Sequence, residues 1–166
     1  MTRVACPGSF DPVTRGHLDI IGRTSALVEE VVVAVGANMS KRAWFTPQER
    51  VAMLQQACAD WGNVRITLFD GLLVDFCHAE GIGAIAKGLR SAADFDYELP
   101  MAQMNAHLQG VDTVFVPAAP PWSYVSSSLV REVAGLGGDV TAFLTPEVAE
   151  QVRRRAAERA AGPRGP

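Results

Sequence analysis

The chain is 166 residues long, or 17.8 kDa, a size that suits one hydrophobic core, since single domains typically run to roughly 100 to 200 residues. At 48% hydrophobic and 20% charged residues, its composition calls for neither disorder nor disulfide staples. Fifteen basic against eighteen acidic side chains leave a net charge of −3, which excludes broad electrostatic capture of nucleic acid or of an anionic membrane.

Short runs rich in β-branched residues fall at 3–6, 31–35, 64–68, 83–86 and 113–116, nearly continuous rather than alternating, as in strands buried on both faces. Helical spacing occupies 16–27, 47–59, 72–80, 92–108, 126–134 and 146–160. This β-α-β-α-β-α-β-α-β-α-α order implies right-handed crossovers between parallel strands. The expected fold is α/β: a three-layer, Rossmann-like, doubly wound arrangement with a five-stranded parallel sheet, ligands sitting outside the carboxyl ends of the strands. Residues 1–160 read as a single domain and the Gly- and Pro-rich 161–166 as a disordered tail. Thr46-Pro47 with Glu49 has the form of a capped helix start, the serines at 126–128 suit another cap, and 38–43 is a polar loop.

No apolar run approaches the roughly 18 to 20 residues of a membrane-spanning helix, and residues 3–6 enter a strand with no secretory signal before them. The expectation is a cytoplasmic protein with neither membrane nor nucleic acid as partner. Cys6, Cys58 and Cys77 lack zinc-site spacing and read as reduced, buried thiols. Residues 151–166 carry five arginines and one glutamate, +4 against −7 for the rest, so this end is a separate electrostatic object.

The chemistry concentrates in Cys6-Pro7-Gly8-Ser9-Phe10-Asp11-Pro12-Val13-Thr14-Arg15-Gly16-His17, which runs from the first strand into the first helix. Gly8 and Gly16 let backbone approach a ligand, Ser9 offers a hydroxyl, and His17 stands in a first helical turn, where N–H groups and the positive dipole end favour oxyanions. Phosphoryl and nucleotidyl transfers depend on positioning and charge neutralisation rather than on an acid-base triad. Arg90, just after the fourth strand, emerges at the sheet's carboxyl edge with paired donors for a triphosphate. Trp122-Ser123-Tyr124-Val125-Ser126-Ser127-Ser128, with Arg131 a turn further on, makes a second anion cradle. Each feature also has a plain structural reading: His17 as a packing or capping residue, the serines as an N-cap, Glu98 as an exposed helical carboxylate four residues after Asp94. Leu72, Leu73, Met101, Met104 and Leu108 read as core residues at helical spacing, and His78 and His107 as structural.

Gly8-Ser9-Phe10-Asp11-Pro12 followed by Thr14, Gly16 and His17 resembles the nucleotidyltransferase superfamily signature, and its full wording is similar to the bacterial phosphopantetheine adenylyltransferase family. Ser40-Lys41 with Phe45-Thr46, Gly88-Leu89-Arg90 with the acidic segment 94–98, and the segments 101–107 and 122–131 resemble the same family in the same order, so the likeness spans residues 2 to about 155. The resemblance implies adenylyl transfer from ATP to 4′-phosphopantetheine, forming dephospho-CoA and pyrophosphate in the penultimate step of coenzyme A biosynthesis. It implies in-line attack without a covalent intermediate, and Mg²⁺ bridging phosphate oxygens with no residue singled out as a metal ligand. It assigns catalysis to His17, Ser9, Lys41 and Arg90. ATP contacts fall to Ser9, Phe10, His17, Gly88, Leu89, Arg90, Glu98, Trp122, Ser123, Tyr124, Val125, Ser126, Ser127 and Ser128, and acceptor contacts to Ser9, Lys41, Leu73 and Lys87. It further implies a homohexamer built as a dimer of trimers, with coenzyme A as feedback inhibitor.

Lys41 and Lys87 are the only lysines among the fifteen basic residues, and the family holds its acceptor phosphate at both places. Two positions depart from the pattern: Ser9 stands where many relatives carry threonine, and Lys87 trades the commoner arginine fork for a point charge. Two rival readings keep the same fold: a nucleotidyltransferase for another acceptor, such as nicotinamide mononucleotide or an alcohol phosphate, and a catalytically silent adenylate sensor.

Overall fold

The computed structural model describes residues 2–37 and 42–162. Its elements follow the predicted alternation: β1 (Arg3–Gly8), α1 (Arg15–Ser25), β2 (Glu30–Gly36), α2 (Pro47–Ala57), β3 (Val64–Phe69), α3 (Leu73–Ala79), β4 (Ala84–Leu89), α4 (Ala92–Gln109), β5 (Asp112–Pro117), α5 (Ser127–Gly135) and α6 (Pro146–Ala160). Short 3-10 turns stand at Pro120–Trp122 and Thr141–Phe143. All five strands pair in parallel in the order β3-β2-β1-β4-β5. Strand order reverses between β1 and β4, where a doubly wound sheet opens its ligand crevice. The ladder shows the opening directly. β1 pairs with β2 as far as Gly8 and β4 with β5 as far as Leu89, yet β1 and β4 pair only at Val4–Ala84 and Ala5–Ile85. Beyond these pairs the two central strands part.

The period-2 alternation of side chains sorts the core into two layers. Val31, Val33 and Val35 of β2 join Val4 and Cys6 against α1 (Ile21), α2 (Met53, Leu54), α5 (Val130) and α6 (Val148, Val152). On the other face Ala5, Val32 and Ile85 pack with Val74 and Cys77 of α3 and with Val111. Each fully buried valine contributes about 1.5 to 3 kcal/mol relative to an exposed one, which is why the central strands set the register. The expectation of burial on both faces holds there and fails at the sheet's edges: β3 is half-buried throughout and β5 has exposed residues, because an edge strand has one neighbour.

Several boundaries move. β4 extends to Leu89, so Lys87, Gly88 and Leu89 belong to the strand, and only Arg90 follows it. α1 ends at Ser25 and α2 at Ala57, short of the predicted ends. Met101, Met104 and Leu108 are exposed rather than core, since α4 lies over the β4–β5 margin and buries only Asn105; Leu72, just before α3, is exposed as well. All three cysteines are buried and unpaired; desolvation raises the Cys6 thiol to about 12 and those of Cys58 and Cys77 to about 11, so they stay protonated at neutral pH. α6 carries the arginine-rich segment as a helix through Ala160. Residues 38–41 of the predicted polar loop and 163–166 of the tail lie outside the described residues.

Candidate active site

Thr14 caps α1, its hydroxyl accepting from the His17 amide at 3.3 Å, while the Thr14 amide donates to His17 Nδ1 at 3.0 Å. This is a reciprocal capping box with histidine in the place usually taken by a glutamate. A backbone N–H can only donate, so Nδ1 must be the bare nitrogen and Nε2 carries the proton. The Phe10 ring stands edge-on to the imidazole, centroids 5.0 Å apart. Burial, reinforced by the nearby Arg90 charge, lowers the His17 pKa to about 4. At neutral pH the side chain is therefore an uncharged N–H donor fixed in orientation by its own helix cap.

The loop before α1 is held from beneath. Phe10 is buried with φ of 49°, and a Cβ on Gly8 would come within 2.9 Å of its ring, so only glycine lets β1 pass that close. Arg50 of α2, itself buried, donates through Nη1 to the Ser9 carbonyl at 2.7 Å. The buried Asp11 carboxylate accepts from the Trp44 amide at 3.0 Å and the Phe45 amide at 2.8 Å, and pairs with Arg131 Nη1 of α5 at 3.3 Å. Arg131 also donates to the Asp11 carbonyl. The Ser127 hydroxyl donates to the Pro12 carbonyl at 2.8 Å, tying the start of α5 to the same loop. Ser126 caps α5 by accepting from the Leu129 amide at 3.2 Å.

The opposite wall is β4 with the first turns of α4. Lys87 Nζ lies 3.2 Å from Glu98 Oε1. The Arg90 guanidinium forks onto Asp94, Nε to Oδ2 at 2.9 Å and Nη2 to Oδ1 at 3.0 Å, and the Arg90 amide donates to the same carboxylate. These bonds hold the Asp94 carboxyl below its ordinary pKa. The fork predicted for a triphosphate is thus engaged by a carboxylate, and an arriving phosphate would exchange with it or use the remaining donors. Gly88 is required here, because a Cβ would meet Ile20 Cγ1 of α1 at 2.9 Å.

These groups surround one cleft of about 420 Å³ at the split between β1 and β4. Of the predicted residues it collects Ser9, Phe10, His17, Lys87, Gly88, Arg90, Glu98, Trp122, Val125, Ser126, Ser127 and Ser128, together with Arg131. It does not collect the rest. Leu89 is absent from the lining, the Ser123 hydroxyl turns to the Pro120 carbonyl at 3.2 Å, and Tyr124 packs on Phe143 with ring centroids 5.9 Å apart. Leu73 opens α3 and packs against the second core layer, away from this lining. Lys41 lies outside the described residues. A larger hollow of about 760 Å³ between α5 and α6 is lined mainly by alanine, glycine and valine; Arg15, Thr141 and Arg153 also border it, Arg153 pairing with Glu150, and it takes in none of the predicted site residues. Sequence reasoning missed Asp11 and Arg50 as supports of the loop. Asp11 stood within the signature, whereas Arg50 reads as an ordinary charged residue of an amphipathic helix and left no signal.

A neutral imidazole donor, two capped helix N-termini and the cations Lys87, Arg90 and Arg131 converge on one crevice, an arrangement suited to nucleotide phosphates. Fold and site together define the nucleotidyltransferase class. The cytidylyltransferase-like family matches residues 5–133. The chain is 57% identical over 157 residues to a phosphopantetheine adenylyltransferase from Nocardioides, covering 95% of this chain and 99% of that protein. It is 54% identical over 158 residues to one from Thermobifida fusca, covering 95% and 96%. Among solved structures, a putative nicotinate-nucleotide adenylyltransferase from Vibrio parahaemolyticus superposes with a TM-score of 0.66 at 17% identity, over 96% of both chains, which speaks to the fold alone. The chain belongs to the cytidylyltransferase-like nucleotidyltransferases and, within them, to the phosphopantetheine adenylyltransferase family.

Proposed function

We propose that the chain transfers the adenylyl group of ATP to 4′-phosphopantetheine, yielding dephospho-CoA and pyrophosphate. The observation that carries this reading is that His17 lines the same cleft as Ser9, Lys87 and Arg90, with its Nδ1 held by the Thr14 amide so that Nε2 carries the proton. The acceptor phosphate attacks the α-phosphorus in line. The bond to the bridging oxygen of pyrophosphate breaks as the new P–O bond forms, so no covalent enzyme intermediate is needed. His17 donates to the charge growing on the α-phosphoryl oxygens, where a fixed neutral donor needs no reorganisation. Ser9 spans the two phosphates, Lys87 with Lys41 draws the acceptor, and Arg90 with the α5 serines grips the triphosphate. Glu98 and Asp94 keep both cations neutralised until phosphate arrives.

Among the described residues no group of three or more His, Cys, Asp or Glu side chains could cage a metal. Mg²⁺ fits this cleft as a counter-ion of the triphosphate, where it would neutralise the departing pyrophosphate. The same reading includes a homohexamer and feedback by coenzyme A, whose adenylate and pantetheine ends would fill both halves of the site. A row of exposed apolar side chains on α4 and β5, namely Tyr97, Met101, Met104, Leu108 and Val114, supports burial of that margin against other copies. Among the described residues no helix is long and apolar enough to cross a membrane; a cytoplasmic site of action is part of the proposal. The test is coupled detection of dephospho-CoA from Mg-ATP and 4′-phosphopantetheine. Turnover of nicotinamide mononucleotide in its place would overturn the acceptor, and ATP binding without pyrophosphate release would point to a sensor.

A further inference from the structure

The arginine-rich helix α6 contributes no described residue to the cleft lining, yet it grips the segment on which the signature loop rests. Arg155, its side chain 24% exposed, pairs Nη2 with Glu49 Oε1 at 2.6 Å and donates through Nη1 to the Trp44 carbonyl. Its guanidinium lies 4.8 Å from the centre of the Phe45 ring, and one turn on Arg159 covers the Trp44 ring at 5.5 Å. Trp44 and Phe45 are the residues whose amides hold the Asp11 carboxylate. One stretch of backbone is thus fixed from two sides: its rings and a carbonyl by α6, its amides by the loop that carries Ser9 and Phe10. The planar guanidinium matters here, since stacking on a ring while forking to a carboxylate and a carbonyl is a combination an ammonium cannot reproduce.

We propose that Arg155 is a positioning residue of the cleft, setting the Trp44-Phe45 amides that hold Asp11 and, through Asp11, the placing of Ser9 and Phe10 against the phosphates. The proposal rests on the reading of the cleft as an adenylyl-transfer site. Its leverage comes from geometry, because a displacement of about 1 Å far from the chemistry can cost about a hundredfold in rate. It also gives the basic C-terminal segment a role that needs no nucleic acid.

The test compares the intact protein with Arg155→Met, Arg155→Lys, Arg153→Met and Val148→Ala, with both substrates saturating and at a temperature well below every unfolding midpoint. Arg153 pairs with Glu150 on the exposed side of α6, and Val148 is buried in its first turn, so these two control for helix chemistry and for stability. The expected result is a kcat at least about tenfold lower in Arg155→Met, an intermediate value in Arg155→Lys, and both controls within about twofold of the parent even though Val148→Ala unfolds earlier. A kcat within about twofold for Arg155→Met, or an equal loss in Val148→Ala, overturns the proposal. Should Arg155→Met fail to fold, Arg155→Lys against Val148→Ala is judged by the same criterion. Amide exchange at Trp44 and Phe45 reads the clamp without turnover and is expected to quicken at least about tenfold in the Arg155 variants but not in Arg153→Met. Unchanged exchange overturns the clamp even if the parent is active, whereas a parent that releases no pyrophosphate but shows the exchange difference fails the adenylyl-transfer reading alone.

Discussion

The imidazole of His17 offers a quantitative check, because the feature that makes it a neutral donor also makes folding sensitive to acid. Its pKa falls from 6.5 to about 4 in the folded protein, first through burial and then through Arg90. The unfolded chain therefore binds more protons than the native one between these values. Stability from this group is complete above pH 6.5 and is lost as pH falls toward 4. At 1.36 kcal/mol per pKa unit the whole shift is worth about 3 kcal/mol, of which about 2 kcal/mol is gone by about pH 5. His17→Gln keeps an amide oxygen to receive the Thr14 N–H and removes the titration. Urea denaturation of parent and variant at about pH 7.5 and pH 5, at one protein concentration, cancels the other histidines and the carboxylates in the difference. The stability gap should move against the parent by about 2 kcal/mol on acidification. A gap that moves by less than about 0.5 kcal/mol, or in the parent's favour, would show that the ring is not held neutral by its surroundings.

His17→Ala should lower turnover by orders of magnitude while ATP affinity, measured by calorimetry, changes little; parallel losses in both would place the ring in ground-state binding instead. Thr14→Ala removes both the cap and the hydroxyl beside Nδ1, so thermal unfolding should report a loss of about 1 kcal/mol, accompanied by a fall in kcat as the imidazole loosens. Gly88→Ala drives a methyl to 2.9 Å from Ile20 Cγ1, and denaturant titration should show about 1 to 3 kcal/mol of destabilisation. Lys87→Ala should raise the acceptor KM by about ten- to a hundredfold, the worth of one charge-assisted hydrogen bond, and leave the ATP KM nearly unchanged, with Lys87→Arg restoring most of the loss.

Much of this molecule could be read without coordinates. The valines at 31–35 announce a strand buried on both faces, Thr46-Pro47 with Glu49 announces a helix start, and the observed capping box there matches. The run from Gly8 to His17 is legible as a strand end, a tight loop and a helix N-terminus because all three lie within ten residues of one another, and the structure has that order. Local hydrogen bonding and hydrophobic periodicity act over one or two turns, so a linear reading captures them.

Tertiary packing decided what periodicity cannot express. Met101, Met104 and Leu108 have the spacing of a core helix, but exposure depends on what lies opposite, and α4 sits at the sheet's margin. Arg90 and Lys87 were legible as cations, while their carboxylate partners depended on how α4 docks beside β4. Asp11, Arg50 and Arg155 meet the 44–46 segment from the loop after β1, from α2 and from α6, across gaps of 33 and 111 residues along the chain in the bonds to Trp44. The sequence determined which elements form and which residues gather in the candidate cleft's first wall, because those follow from neighbouring residues. The aim and charge state of each functional group came from residues distant in the chain, whose convergence exists only once the sheet has assembled.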